Sequence, residues 1–511
     1  MGRGFPRVGS LVPADEVGDE DLRAALAGVM ALAGVLEDQV RRLQDEVAAA
    51  AAETAAQRAR ADALADRVEQ LARRLAKDSS NSSQPPSSDS PYGKKPKDRS
   101  LRQAAGRRPG KQPGAASSTL RQSPYPDRIV ECGPARCAGC GADLSGQPPL
   151  AVRRRQVFEA VPPPPPAVTE YRVQSKACPC CGQVSAGTAP PGVTGRVQYG
   201  PGVHAVTALA ACAHYLPVAR AAALVRALSG VAVSAGFTAA VRGRAAVLLV
   251  PFMDRVRQLL RGAAVVHADE TPARAAGRLR YVHVACTEFL TAMHTGDRTR
   301  ESIDAGRVLP GCTGVIVRDG YAGYDHLTGA LHAWCAAHGL RDLRAVHQSG
   351  PGEQSWAQDM AGVLLGARDA AAAARAGGET GLSDRQQHAI RAAYRAAVAD
   401  GITANWTART SARRDARTLA LRFGRHEDMI LRFTTGLDIA FTNNQAERDI
   451  RPVKVQQRTS GGTWRTLLGL ADFAVVRSYL STAAKWDITP LDALTRLFTT
   501  GPWLPPDAAP G

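Results

Sequence analysis

Three acids in this chain stand where divalent-metal chemistry on a phosphodiester would need them. Asp269 ends the short β-branched run "AAVVHADET", and Asp319 ends a second buried-type run in "GCTGVIVRDGYAGYDHL". Glu447 lies in "FTNNQAERDIRPVKVQQR", among Arg448, Arg451, Lys454 and Arg458. Acids at the C-terminal ends of strands in a mixed sheet converge on a cleft. Carboxylates held close together repel, so one pKa rises unless a cation is shared between them. Mg2+ (or Mn2+) is such a cation, bound by oxygen in an octahedral shell that keeps waters. Two such ions about 3.5–4 Å apart activate an attacking oxygen and stabilise a leaving one. Glu447 is the third acid, arriving on a helix whose cations would hold the strands acted upon. Plainer readings exist for each: an Asp-Gly turn for Asp319, a helix N-cap for Asp269, and a capping box for Asn444 with Glu447, with Arg451 one turn further on.

A second chemistry is carried by thiols. "CAGCG" (Cys137, Cys140) and "CPCCG" (Cys178, Cys181) are two Cys-x-x-Cys-Gly knuckles, separated by the strand-like runs "RRRQVFEAV" and "VTEYRVQSKA". Four thiolates in tetrahedral array suit a structural Zn2+, and the glycine after each second cysteine permits the tight turn. Cys132 and Cys180 are spare, and Cys180 could replace a neighbour. Cys335, His338 and His267 have a spacing that suits no zinc site, so buried or supporting roles are expected of them.

These groups need elements to hold them. From Leu22 to Leu75 an unbroken heptad register of Leu, Val, Ala, Thr and Gln predicts a coiled coil roughly 80 Å long at about 1.5 Å per residue. Self-association is expected, with a hairpin of the helix on itself as the alternative. A Ser/Pro tract then leads into a basic arm holding Lys94, Lys95, Arg107, Arg108 and Lys111, suited to tracking a phosphate backbone. The formal net charge of +17 agrees with a polyanionic partner. No apolar stretch reaches the about 18 residues of a membrane span, and the N-terminus lacks the apolar core of a signal peptide. A cytoplasmic, nucleoid-associated protein away from membranes is therefore expected.

The predicted organisation is multidomain α/β. It comprises a disordered head (1–20), coiled coil (21–77), linker (78–127), zinc-binding ribbon (128–190) and a helical region compatible with a DNA-binding helix-turn-helix (191–262). A mixed-sheet core follows in two parts (263–345 and 437–485), interrupted by a helical insertion (346–436) and followed by a tail (486–511).

"HADET", "RDGYAGYDHL", "CAAHGLRDL" and "NNQAERDIRPVKVQQR", in this order, resemble the transposases of the insertion-sequence-66 family, members of the DDE superfamily with a ribonuclease-H-like core. The Ser/Pro tract, the "GRRPGKQPG" arm and the knuckles resemble that family's N-terminal half. The resemblance implies Asp269, Asp319 and Glu447 as a catalytic triad, shaped by Asn443, Asn444, Arg448 and Arg451. It also implies cleavage of double-stranded DNA at transposon ends with water as nucleophile, then strand transfer to target DNA. Two small accessory proteins are implied as partners. Arg318 departs from the family's usual small polar residue and is placed to draw in a phosphate or to compete with a metal. The alternatives are a catalytically inactive DNA-binding or assembly protein, and a nuclease without strand transfer, which has little need for the coil, arm and zinc module.

Overall fold

The computed structural model of the chain describes residues 18–76, 121–159, 165–350, 352–407 and 410–507. The described residues belong to two compact units. The first takes in Met1–Ser90, Arg341–Ala361 and Ala393–Arg425; the second takes in Pro91–Leu340, Gly362–Ala392 and His426–Gly511. The cations predicted for the basic arm, Lys94, Lys95, Arg107, Arg108 and Lys111, lie outside the described residues.

The first unit is helical. Helix α1 (Asp19–Ala76) is 58 residues long and opens on Asp19, Glu20 and Asp21, which complement the positive end of the helix dipole. Its heptad positions are solvent-facing, Leu36, Val40 and Leu43 each being more than half exposed. Elsewhere in this unit buried Trp356 packs where a Cβ on Gly401 would stand 2.7 Å away. Its indole N–H donates to Gln354, whose amide bonds Asn405 at 2.7 Å. A bare glycine face and a closed amide pair thus let an indole sit between helices with its polar atom satisfied.

In the second unit the two knuckles come first. Cys178–Cys181 sits at the tip of a short hairpin, β1 (Ser175–Ala177) with antiparallel β2 (Val184–Ala186). Around Cys137–Cys140 one antiparallel bridge joins Arg136 and Asp143. The run predicted as a strand from Arg153 forms none over residues 153–159; its side chains are mostly exposed, so nothing rewards pairing.

Helices α2 (Pro201–Ala208), α3 (Val218–Ser229), α4 (Ala235–Leu248) and α5 (Val250–Arg261) follow. They lead into a five-stranded sheet made of β3 (Val265–Ala275), β4 (Arg278–Cys286), β5 (Thr291–Gly296), β6 (Val315–Arg318) and β7 (Leu331–Trp334), in the order β5-β4-β3-β6-β7. The first three strands form an antiparallel meander, and β6 and β7 run parallel to β3. Ala276 and Gly277, both at positive φ, turn β3 into β4, the conformation a two-residue hairpin requires. This hairpin changes one expectation: Asp269 lies in the middle of an eleven-residue strand and not at its end.

Helix α6 (Arg300–Ala305) joins β5 to β6, and after β7 come α7 (Ala336–Ser349), α8 (Ser355–Ala376), α9 (Asp384–Ala404), α10 (Ser411–Arg425) and α11 (Glu427–Ile430). The last four of these fill the span predicted as a helical insertion. Helix α12 (Asn444–Thr459) lies against β3, α13 (Leu467–Lys485) lies against β5, and α14 (Pro490–Thr499) ends the helices. A buried polar lock joins these pieces: Lys485 reaches Asp449 at 2.6 Å, and Thr291 donates to the same carboxylate at 2.9 Å. Among the described residues, α13 is the one unbroken helix long and apolar enough to cross a membrane, and more than half of it is buried in the unit's core.

Candidate active site

The sheet brings the first two acids near one another. His267 on β3 pairs with Val317 on β6, the last rung of that ladder; Asp269 follows two residues later within β3, and Asp319 follows just past the end of β6, near enough for its charge to act on Asp269. The face of β3 that carries Asp269 is the one α12 covers, because His267, two residues before Asp269, bonds Asn443 at 3.0 Å. Asp269 is half-buried. Burial, and then the charges of Glu270, Asp319 and Glu447, push its carboxyl well above the ordinary carboxylate range. Three segments far apart in sequence thus act electrostatically on one carboxyl.

Asn443 is the residue that ties the third segment down. It precedes the first turn of α12, but its side chain caps nothing in that helix. Its amide donates to the Ala268 carbonyl at 2.7 Å and accepts from His267 Nδ1. Its oxygen can only accept, so His267 carries its proton on Nδ1. The capping box predicted on Asn444 is therefore replaced: Asn444 is exposed within the helix, and the neighbouring asparagine is spent on a tertiary bond.

The three carboxylates do not gather within 4.8 Å of one another. Among the described residues the set of three ligand atoms that does so is Cys335, His338 and Glu447. Cys335 and His338 open α7, and α12 carries Glu447 to them. Burial raises the Cys335 thiol to about 11. Spacing within one motif could not reveal this group, because its third member lies beyond the whole helical insertion.

Glu270 was also missed. Adjacent to Asp269 in a strand, it points to the opposite face, where Tyr324 donates to it at 2.5 Å and Arg298 pairs with it at 2.8 Å. Burial and the Asp319 charge raise its carboxyl, while Tyr324 and Arg298 oppose that rise. Arg318 takes neither role expected of it. It is fully buried, donating to His332, to the Asp319 and Tyr321 carbonyls, and to Asp325 at 2.5 Å. It is a brace for the turn that carries Asp319.

The cations around Glu447 divide. Arg448, Arg451 and Arg458 are exposed, while half-buried Lys454 donates to the Pro272 carbonyl and so ties α12 to β3. At the knuckles, Gly141 and Gly182 both adopt φ +75°, where a side chain would be strained. Backbone N–H groups of Gly139 and Cys140 face the Cys137 sulfur, and those of Cys180 and Cys181 face Cys178; these bonds lower both thiols. No three of the four knuckle sulfurs come within 4.8 Å of one another.

Both N-terminal and core regions match known families. The family described as Transposase IS66 family matches residues 196–471, more than half of the chain and the whole of the sheet with its acids. A family of unknown function (DUF6444) matches residues 36–121. No curated protein matches. The family match makes this a DNA-acting protein, of the mixed α/β architecture described above. The chain belongs to the IS66 transposase family.

Proposed function

We propose that this transposase is a DDE enzyme with a ribonuclease-H-like core, in which Asp269, Asp319 and Glu447 carry DNA cleavage at transposon ends and strand transfer into target DNA. The observation that carries this reading is that the Asp269 carboxyl, raised first by burial, is raised further by the charges of Asp319, just past the end of the neighbouring parallel strand, and of Glu447 on α12. The meander followed by two parallel strands is the order a ribonuclease-H-like core requires. A buried carboxyl that also feels the charge of two distant acids fits divalent cations as partners. Two Mg2+ or Mn2+ ions held by the three acids would supply an activated attacking oxygen and a stabilised leaving oxygen. Asn443 and Lys454 hold α12 to β3, and exposed Arg448, Arg451 and Arg458 face the DNA backbone. Water attacks the scissile phosphorus and frees a 3′-hydroxyl; that hydroxyl then attacks a target phosphodiester and expels a second 3′-oxygen. Small accessory proteins are partners in that assembly.

The test is incubation with end-sequence DNA and Mg2+ of the chain and its Asp269→Asn, Asp319→Asn and Glu447→Gln variants. Each variant is expected to lose cleavage and joining by about a hundred- to a thousandfold while retaining DNA in gel-shift assays. Variants that cut like the parent overturn the triad, and a parent that binds but never cuts supports an inactive binding protein.

We also propose that α1 pairs with the α1 of a second copy. Its seam places Val40, Val47 and Val68 at one core position and Leu36, Leu43, Leu64 and Leu71 at the other, the distribution that favours parallel two-stranded coils. In that arrangement Glu53 faces Arg58 of the other helix, one heptad-flank pair of opposite charge. Sedimentation should show a dimer that Leu36→Asp with Leu43→Asp turns into monomers; a monomeric parent rules this pairing out.

The knuckle thiols are the donor set that structural zinc takes. Cys137, Cys140, Cys178 and Cys181 would hold one ion between the two knuckles.

A further inference from the structure

We propose that Cys335, His338 and Glu447 form a second metal centre, separate from the carboxylate pair and selective for a borderline-soft divalent ion of the zinc class. Their ligand atoms already lie within 4.8 Å of one another. One thiol, one imidazole and one carboxylate leave a fourth position open, a donor set that hard Mg2+ does not choose and Zn2+ or Co2+ does.

The local geometry repeats that of the knuckles. In each knuckle the leading sulfur faces the backbone N–H groups two and three residues further on. In Cys335-Ala336-Ala337-His338 the sulfur likewise faces the N–H groups of Ala337 and His338, and it accepts a third from Asn443 at 3.1 Å. Donors arranged this way stabilise a sulfur that carries negative charge, as a metal-bound thiolate does. Histidine takes the place of the second cysteine, and Glu447 arrives from across the cleft. The Asn443 amide that ties α12 to β3 belongs to the same residue whose N–H bonds the sulfur, so the centre and the acid site share one anchor.

Resting on the reading of Glu447 as the third acid, a consequence follows. One carboxylate cannot serve both centres fully, so an ion held by Cys335 and His338 draws Glu447 away from Asp269 and Asp319. Zinc then acts as an inhibitor of the Mg2+-supported reaction.

The test uses Co2+ as probe on the full chain with Cys132, Cys137, Cys140, Cys178, Cys180 and Cys181 all changed to serine, so that neither the knuckles nor the spare thiols beside them contribute sulfur. This chain is expected to show a thiolate-to-cobalt charge-transfer band that saturates at one ion per chain. Ions held by carboxylates alone give no such band. Adding Cys335→Ser abolishes the band. Adding His338→Ala instead weakens cobalt binding by at least about tenfold, with circular dichroism confirming the helix content of each variant. A band that survives Cys335→Ser, or no band in the parent, overturns the centre; if Cys335→Ser unfolds, unchanged affinity in His338→Ala does the same. Zn2+ titrated into Mg2+-supported cleavage should inhibit the natural chain at a concentration at least about tenfold below that for its Cys335→Ser variant, each measured against its own zinc-free rate. Equal inhibition of both removes the link to Glu447. A chain that never cleaves DNA refutes the transposase reading and leaves the cobalt result to decide the centre.

Discussion

The knuckles and the acid site are built on opposite plans. Each knuckle is closed by bonds within a few residues: Cys137 N–H to the Ala142 carbonyl, Cys178 N–H to the Gln183 carbonyl, and a glycine at φ +75° in each. The acid site owns no local motif. It exists because β6 lies beside β3 in one register, because Asn443 bonds Ala268, and because Lys485 locks Asp449 to Thr291. A local site survives damage elsewhere, whereas a site assembled from distant segments is as stable as the sheet that assembles it.

The largest expected effect tests that dependence at the polar lock. Lys485 and Asp449 are both nearly buried and 2.6 Å apart. Lys485→Met leaves the carboxylate without its cation, which costs about 3–5 kcal/mol. A fall of that size in the unfolding free energy is expected from denaturation followed by circular dichroism, with Mg2+-supported activity lost alongside it. A variant as stable as the parent would show that the lock does not hold α12 and α13 to the sheet.

The next effect is a pH dependence belonging to the sheet. On the face opposite Asp269, His283 and His294 stack at 4.9 Å. Burial, and then the neighbouring His283, lower His294 from 6.5 to about 4. Between those values the unfolded chain binds a proton that the folded chain refuses, so stability falls as pH drops from about 6.5 to about 4, by at most about 3 kcal/mol. His294→Gln can still donate to the Ser302 carbonyl and should flatten that slope in melts taken across the window. A slope unchanged by the substitution assigns the acid sensitivity to other groups.

What could be read in advance divides along the same line. Heptads, knuckle turns and the order of the acids are patterns of neighbours, and periodicity or spacing displays them. The sequence-level reading stopped β3 at Asp269 because that acid looked like a strand end; the turn at Ala276 and Gly277 extends the strand, and only pairing with β4 reveals it. Asn444 looked like a cap because local bonding is what a motif can express, yet Asn443 is used across the sheet. Arg318 looked placed to draw in a phosphate or compete with a metal, and the four acceptors that bury it are gathered by contacts that no motif encodes. Cys335 and His338 were set aside because their third partner is supplied by topology.

The smallest effect probes the other plan. Gly182 follows Cys181 at φ +75° with open space around its α-carbon, so Gly182→Ala brings no clash and only backbone strain. An alanine in that conformation costs about 1–2 kcal/mol, and the cost falls on a three-residue hairpin remote in sequence from the sheet. Zinc retained per chain after dialysis should therefore fall, while the melting midpoint of the sheet and the stability of α12 stay where they were. Gly141→Ala should behave alike, because its turn has the same dihedral and the same cysteine-led bond. Loss of sheet stability in either variant would mean that the knuckles are part of the scaffold that aligns the acids, and the division between a locally closed site and a topologically assembled one would not hold.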